Sequence, residues 1–164
     1  PRLAGFLNSS DIEIRKSTIR ALGQLRDPRS VRLLSACLQD ADREIRILAA
    51  SSLKGSEDEA ALDRVHGMTK EKSFHFLSRA EKQPLLELLA SSRSQASVEG
   101  LGLLIRKIGR FARARQVETG LLAVAALTKV CSPRASETLV QGCRSSNPRL
   151  KKKCRETLNE VGSP

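Results

Sequence analysis

Slid along itself, this 164-residue chain meets its own pattern again and again. At an offset of 31, the segment Asp11 to Arg15 followed by Ala21 and Leu22 falls on Asp42 to Arg46 followed by Ser52 and Leu53. An offset of 105 lays Asp42 through Leu53 on Asn147 through Leu158, and Asp27, Pro28 and Arg29 on Ser132, Pro133 and Arg134. An offset of 67 supplies the middle copy, with Leu22 on Leu89, Val31 on Val98, Leu34 on Leu101 and Leu38 on Ile105. The copies on either side of it start 36 and 38 residues away, so insertions of a few residues flank the middle copy. A unit of this length is a pair of short helices that cannot bury its apolar face alone and has to stack on its neighbours.

The aligned columns carry the chemistry of such a stack. Leu22, Leu53, Leu89, Leu127 and Leu158 form one column, and Thr18, Ala49, Leu85, Ala123 and Cys154 form another four positions earlier. Together they make one face of a first helix. The second helix contributes Leu34, Val65, Leu101 and Leu139 and, three residues earlier, Val31, Leu62, Val98 and Ser136. Capping residues recur independently of this pattern: Asp11, Asp42, Ser78 and Asn147 before the first helices, with Gln116 the exception, and Asp27, Asp58, Ser94 and Ser132 before the second. Proline follows directly at Pro28, Pro133 and Pro148, where its missing N–H is harmless. Ser78 to Glu81 and Ser56 to Glu59 read as capping boxes, and Ser10 to Glu13 is a further candidate.

These signals predict an all-α chain with helices near 11–25, 28–39, 42–54, 57–68, 79–91, 94–108, 113–130, 133–145 and 148–161. Residues 1–7 are expected to end a preceding helix. The pattern breaks at His66, Gly67 and Met68, and residues 69–73 are polar, so 66–78 has no clear assignment. Pro84 should kink its helix or mark a later start. The copies fall near 8–39, 40–72, 75–110 and 113–145, with a partial one at 146–161. We read 1–164 as one domain and, since it starts without Met, as a fragment of a longer protein.

The residues from Asp11 to Val31 resemble the HEAT repeat family: Asp-x-Glu-Ile-Arg, small residues, Ala-Leu-Gly, a short turn, then Asp-Pro-Arg-Ser-Val. The likeness is to the short bacterial HEAT-like type, found also in phycobilisome lyases. It implies a right-handed α-solenoid of four to five helical hairpins, and a role in holding other macromolecules. In that family a basic residue forms a ladder between units; the corresponding column here is Arg15, Arg46, Lys82, Gly120 and Lys151, in which Gly120 departs. The departure suggests a changed packing angle at the fourth copy. Nothing beyond the repeat matches the lyases, so lyase activity is not implied.

Signatures of catalysis are poor. Gly100 and Gly102 lack the third glycine and the preceding strand of a dinucleotide loop, and small residues inside a helix allow close packing instead. The acidic run Glu57, Asp58 and Glu59 suits a helix start. Cys37, Cys131, Cys143 and Cys154 are spaced for neither a redox pair nor a zinc site, and read as small, reduced, largely buried side chains that favour the cytoplasm. His66 and His75 are nine positions apart and unsuited to share a metal. We therefore expect no enzyme activity, no cofactor, no metal and no small-molecule substrate. No apolar run approaches the roughly 18–20 residues of a membrane span.

Charge is the remaining signal. Lys and Arg total 29 against 18 Asp and Glu, a net +11. Arg106, Lys107, Arg110, Arg113 and Arg115 put five cations in ten positions with no acid, within one of the lengthened connections. Arg149, Lys151, Lys152, Lys153 and Arg155 put five in seven near the C-terminus. Both stretches suit an acidic protein surface or phosphates, and both also suit a solvated face with stems covering apolar surface. Two functions follow: a protein-binding scaffold, or a module binding the nucleic-acid backbone. The second is similar to the alkylpurine DNA glycosylases built from HEAT-like repeats, but with no Trp or Tyr the chain lacks their aromatic equipment.

Overall fold

The computed structural model describes residues 3–130 and 132–162, with side chains up to 160. Nine α-helices appear among them: α1 (Ile12–Leu25), α2 (Pro28–Cys37), α3 (Arg43–Ser52), α4 (Glu59–Lys70), α5 (Arg79–Ser92), α6 (Gln95–Arg106), α7 (Ala114–Leu127), α8 (Pro133–Gly142) and α9 (Pro148–Gly162). No strand occurs among the described residues.

Side-chain caps set most of the helix starts. Asp27 accepts from the amides of Arg29 and Ser30 at 2.8 and 3.1 Å, and Asp42 from Glu44 and Ile45 at 2.7 and 3.2 Å. Each bond satisfies an amide that the first turn leaves without a partner. Ser78 and Glu81 form the reciprocal box. Two expected boxes are corrected. Asp58, not Ser56, caps α4, and Asp11, not Ser10, caps α1: their carboxylates accept from the amides of Ala61 and Glu13 at 2.9 and 2.8 Å. At α7 the exception resolves itself: Gln116 is the third residue of the helix, and its Oε1 accepts from the amide of Arg113 at 2.9 Å.

The odd-numbered helices lie side by side in one layer and α2, α4, α6 and α8 in another. The leucine column faces the space between layers: Leu22, Leu53, Leu89 and Leu127 are all at most 2% exposed, and Leu158 is half-buried. Full burial of one such side chain contributes about 2 kcal/mol. In the second column Leu34, Val65, Leu101 and Leu139 are buried, while Val31 and Ser136 are half-buried. Glycines bring the second helices close. A Cβ at Gly100 would stand 2.6 Å from the His66 ring, and one at Gly102 would stand 2.8 Å from Thr138.

Elsewhere the expectations need correction. Residues 3–8 are a 3-10 helix against α1 rather than the end of an α-helix. The supposed break at His66 to Met68 is helical, since α4 continues to Lys70; a 3-10 turn, Lys72–Phe76, follows, pinned by buried Phe74. α5 starts at Arg79 and runs through Pro84 with no later start, the carbonyl deprived of a donor belonging to solvent-exposed Ala80. Only Cys154 is buried; Cys37 and Cys143 are half-buried, and Cys131 lies outside the described residues.

Ion pairs stitch the first-helix layer. Lys16 pairs with Glu44, Arg46 donates through Nε to Glu81 at 3.2 Å, and Lys82 meets Glu118 at 3.2 Å. Each joins one first helix to the next. Lys82 is fully buried, whereas Glu118 is 42% exposed. Glu81 is nearly buried; burial pushes its carboxyl up, but hydrogen bonds from Arg46 and Ser78 outweigh this and hold it below the ordinary range. Glu87 bridges Lys129 at 2.6 Å and Lys54 at 3.2 Å, so it ties three successive copies together. The Lys129 bond, aided by Lys54 and opposed by burial, brings its pKa down to about 2. At the fourth ladder position no cation is present, and Ile108 fills the space: a Cβ on Gly120 would stand 2.2 Å from the Ile108 Cδ1.

Two stability predictions follow from these pairs. Glu118→Ala leaves the Lys82 ammonium buried without a carboxylate and is expected to cost about 3 kcal/mol, whereas Lys82→Met, which removes the buried charge, stays within about 1 kcal/mol of the native chain. Urea denaturation of both variants checks the ordering. The stability that Glu87 confers is fully present above its ordinary value of 4.5 and is lost as the pH falls toward about 2. With both lysines half-exposed, Glu87→Gln is expected to cost about 1–2 kcal/mol at neutral pH. The same comparison in strong acid should show almost no difference.

Candidate functional site

The two insertions around the middle copy lie in consecutive connections of one kind, from a second helix to the next first helix. A stack places such connections on the same edge, so the two are neighbours. One comprises the end of α4 and the 3-10 turn; the other is the stretch 107–113 between α6 and α7. Between them runs a groove of about 780 Å³. Its banks carry Lys70 and Lys72 from the first connection and Lys107, Arg113 and Arg115 from the second side, with Phe76 and Ala114 exposed as apolar surface over the buried Leu104 and Ile108.

All five cations are exposed, and none takes part in an ion pair among the described residues. This separates them from the ladder, where cation and carboxylate are matched. The groove has one acid, Glu71, which is turned back to accept from the Ser73 hydroxyl at 2.8 Å. Phe76 stands 65% exposed on the bank, with the Arg115 guanidinium 5.2 Å from its ring centroid. Such a contact holds the arginine over an apolar face without using its N–H donors.

The second bank is fixed from below. Ile108 is buried in the space that Gly120 leaves, while Ser145 and Asn147 of the next connection donate to the carbonyls of Ile108 and Gly109 at 3.3 and 3.4 Å. On the first bank, His75 Nδ1 lies 3.2 Å from Thr119 Oγ1, and that hydroxyl already donates to the Arg115 carbonyl at 2.8 Å. Having spent its only proton, Thr119 must accept, so the proton of neutral His75 sits on Nδ1. Burial first, then Lys82 and Lys107, push the His75 pKa down.

Of the ten cations singled out in the sequence, three line the groove, Lys107, Arg113 and Arg115, while Arg155 is exposed on α9 away from it. Arg106 turns toward α8, donating to Gln141 Oε1 at 3.2 Å. Arg110 is exposed on the connection beside Phe111, which is 94% exposed. On α9 the buried face is Leu150, Cys154 and Thr157; Arg149 and Lys152 are exposed, Lys151 and Lys153 half-buried, and none lines the groove. Lys152 reaches Glu156 at 3.8 Å. The sequence reading missed Lys70, Lys72, His75 and Phe76. The signal for them was the pair of insertions on either side of one copy, which puts 66–78 next to 106–115.

Helical pairs stacked in two layers around a repeating leucine column define an α-solenoid. The family described as HEAT repeats matches residues 1–83, and the chain belongs to that family. Among solved structures, the complex of CpcE and CpcF of phycocyanin lyase from Nostoc sp. is similar with a TM-score of 0.63 at 16% identity, covering 98% of this chain and 64% of that one. The crystal structure of an engineered protein is similar with a TM-score of 0.57 at 19% identity, covering 97% of this chain and 77% of that one. At such identities the likeness is one of fold. No curated protein matches the chain.

Because burial, and after it Lys82 and Lys107, disfavour the charged ring, the His75 imidazole should titrate below the ordinary value of 6.5, and Lys107→Gln should raise it. NMR titration of the His75 ring protons measures both, and the ring nitrogen shifts report whether Nδ1 carries the proton.

Proposed function

We propose that the chain is a non-catalytic protein-binding module of the scaffold or adaptor kind, acting in the cytoplasm. HEAT repeats are generally protein-interaction scaffolds. The observation that carries the reading for this chain is the gathering of five exposed cations, none in an ion pair among the described residues, and an exposed phenylalanine around one groove. A rigid repeat presents that groove without having to order it on binding, which spares the partner that cost. The groups in it bind rather than react: four lysine or arginine heads around an aromatic ring held by the fifth. Free thiols at Cys37, Cys143 and Cys154 support a reducing location. No described helix is long and apolar enough to cross a membrane.

The test is affinity capture from a cell extract, comparing the native chain with a variant carrying Lys107→Glu, Arg113→Glu and Arg115→Glu. A protein retained by the native chain, lost with the variant and indifferent to nuclease is the expected result. The alternative, a module binding the nucleic-acid backbone, draws support from the exposed cations of α9, and predicts nuclease-sensitive capture. It also predicts DNA affinity that falls by about 10³ or more between 50 and 200 mM salt if six or more phosphates are contacted.

A further inference from the structure

We propose that the groove between the two inserted connections takes a short extended acidic segment of a partner protein, with one apolar side chain seated against Phe76 and Ala114. The proposal rests on the protein-binding reading and names the ligand class. Volume comes first. About 780 Å³ is the size of a site for a small ligand or a few residues of chain. Charge comes second. Cations stand on both banks, Lys70 and Lys72 facing Lys107, Arg113 and Arg115, and none has a carboxylate of its own. An extended segment sends successive side chains to opposite sides, so adjacent acids can meet both banks at once.

The apolar content decides between a peptide and a nucleic acid. A phosphate backbone would use the cations and leave the exposed Phe76 and Ala114 without an apolar counterpart, whereas a leucine or phenylalanine side chain covers them. Base stacking needs a free aromatic face, and in the groove the one exposed ring, Phe76, already has the Arg115 guanidinium over it. The bank is also prepared for binding. Anchored by Ile108 under Gly120 and by Ser145 and Asn147, the second connection needs little ordering when a ligand arrives.

The experiment selects random octapeptides displayed on phage against the whole folded chain, then measures one enriched peptide, labelled with fluorescein, by anisotropy. The expected outcome is enrichment of sequences with several Asp or Glu around one large apolar residue. Binding should weaken by about tenfold or more in the Lys107→Glu, Arg113→Glu, Arg115→Glu variant, since each substitution replaces a charge-assisted contact by a like-charge one. Phe76→Ser should weaken it by a smaller factor, with circular dichroism unchanged in both. As a check independent of any variant, NMR shift changes in the native chain should centre on Lys70, Phe76, Lys107 and Arg115.

Enrichment of neutral or basic peptides overturns the proposal. Acidic peptides whose binding ignores all the substitutions overturn the groove as the site, while the protein-binding reading stands. If no peptide is enriched but a protein is still captured from extract in a manner sensitive to the charge-reversal variant, the short acidic segment is overturned as the ligand, while the protein-binding reading stands. Tight binding of a labelled single-stranded DNA, lost in that same variant, overturns both.

Discussion

A helix of ten to fourteen residues is marginal alone, and the first helices here owe their stability to the face that carries Leu22, Leu53, Leu89 and Leu127. That face is covered from two directions at once. The second helix of the same copy lies on one side, and the neighbouring first helices close the flanks. Every copy therefore needs an adjacent copy of like shape, and every other feature of the molecule is placed by that need. Caps must fall at fixed intervals, connections must line up along edges, and charges on successive first helices must come within reach of each other.

This constraint explains which parts of the structure were legible in the sequence. Aspartates and serines before a helix act through amides two or three residues away, so Asp27, Asp42 and Ser94 announced their helices from local chemistry alone. The leucine columns were equally plain because periodicity survives without knowledge of the partner. Reading failed where a contact from elsewhere in the stack decided the matter. His66 looked like a break, yet α4 continues because Gly100 on α6 leaves room for the imidazole. The 3-10 turn after it depends on Phe74 finding a buried place, which no local pattern reveals. Gly120 read as a gap in a ladder, and its role as a socket for Ile108 is visible only when the following connection is in place.

The candidate site shows the same division. Charge runs are obvious in a sequence, and both were noticed; their environment is not. Arg106 and Arg115 belong to one run, yet one donates to Gln141 on α8 and the other covers Phe76 beside the groove. Lys70 and Lys72 escaped notice because they belong to no run. They become part of the site by lying one copy away, across a gap that the stack fixes at the separation of neighbouring connections. Had the two insertions been treated as neighbours in space, the pairing of their cations could have been foreseen.

Regularity itself limits where such a module can acquire specificity. Many positions on the helices are committed to burial, to capping or to the ion pairs between copies, and changing one of those disturbs the stack. An inserted connection is free of these duties, so it can lengthen and gather unmatched charge at little cost to stability. Freedom alone would give a floppy loop with weak affinity. In this chain the loop from Lys107 to Arg113 is tied down by one apolar side chain and two hydrogen bonds to its carbonyls, all made away from the groove. The glycine that interrupts the ladder is what admits that side chain. Loss of one ion-pair position in the fourth copy and rigidity of the adjacent bank are thus two aspects of a single substitution in the repeat.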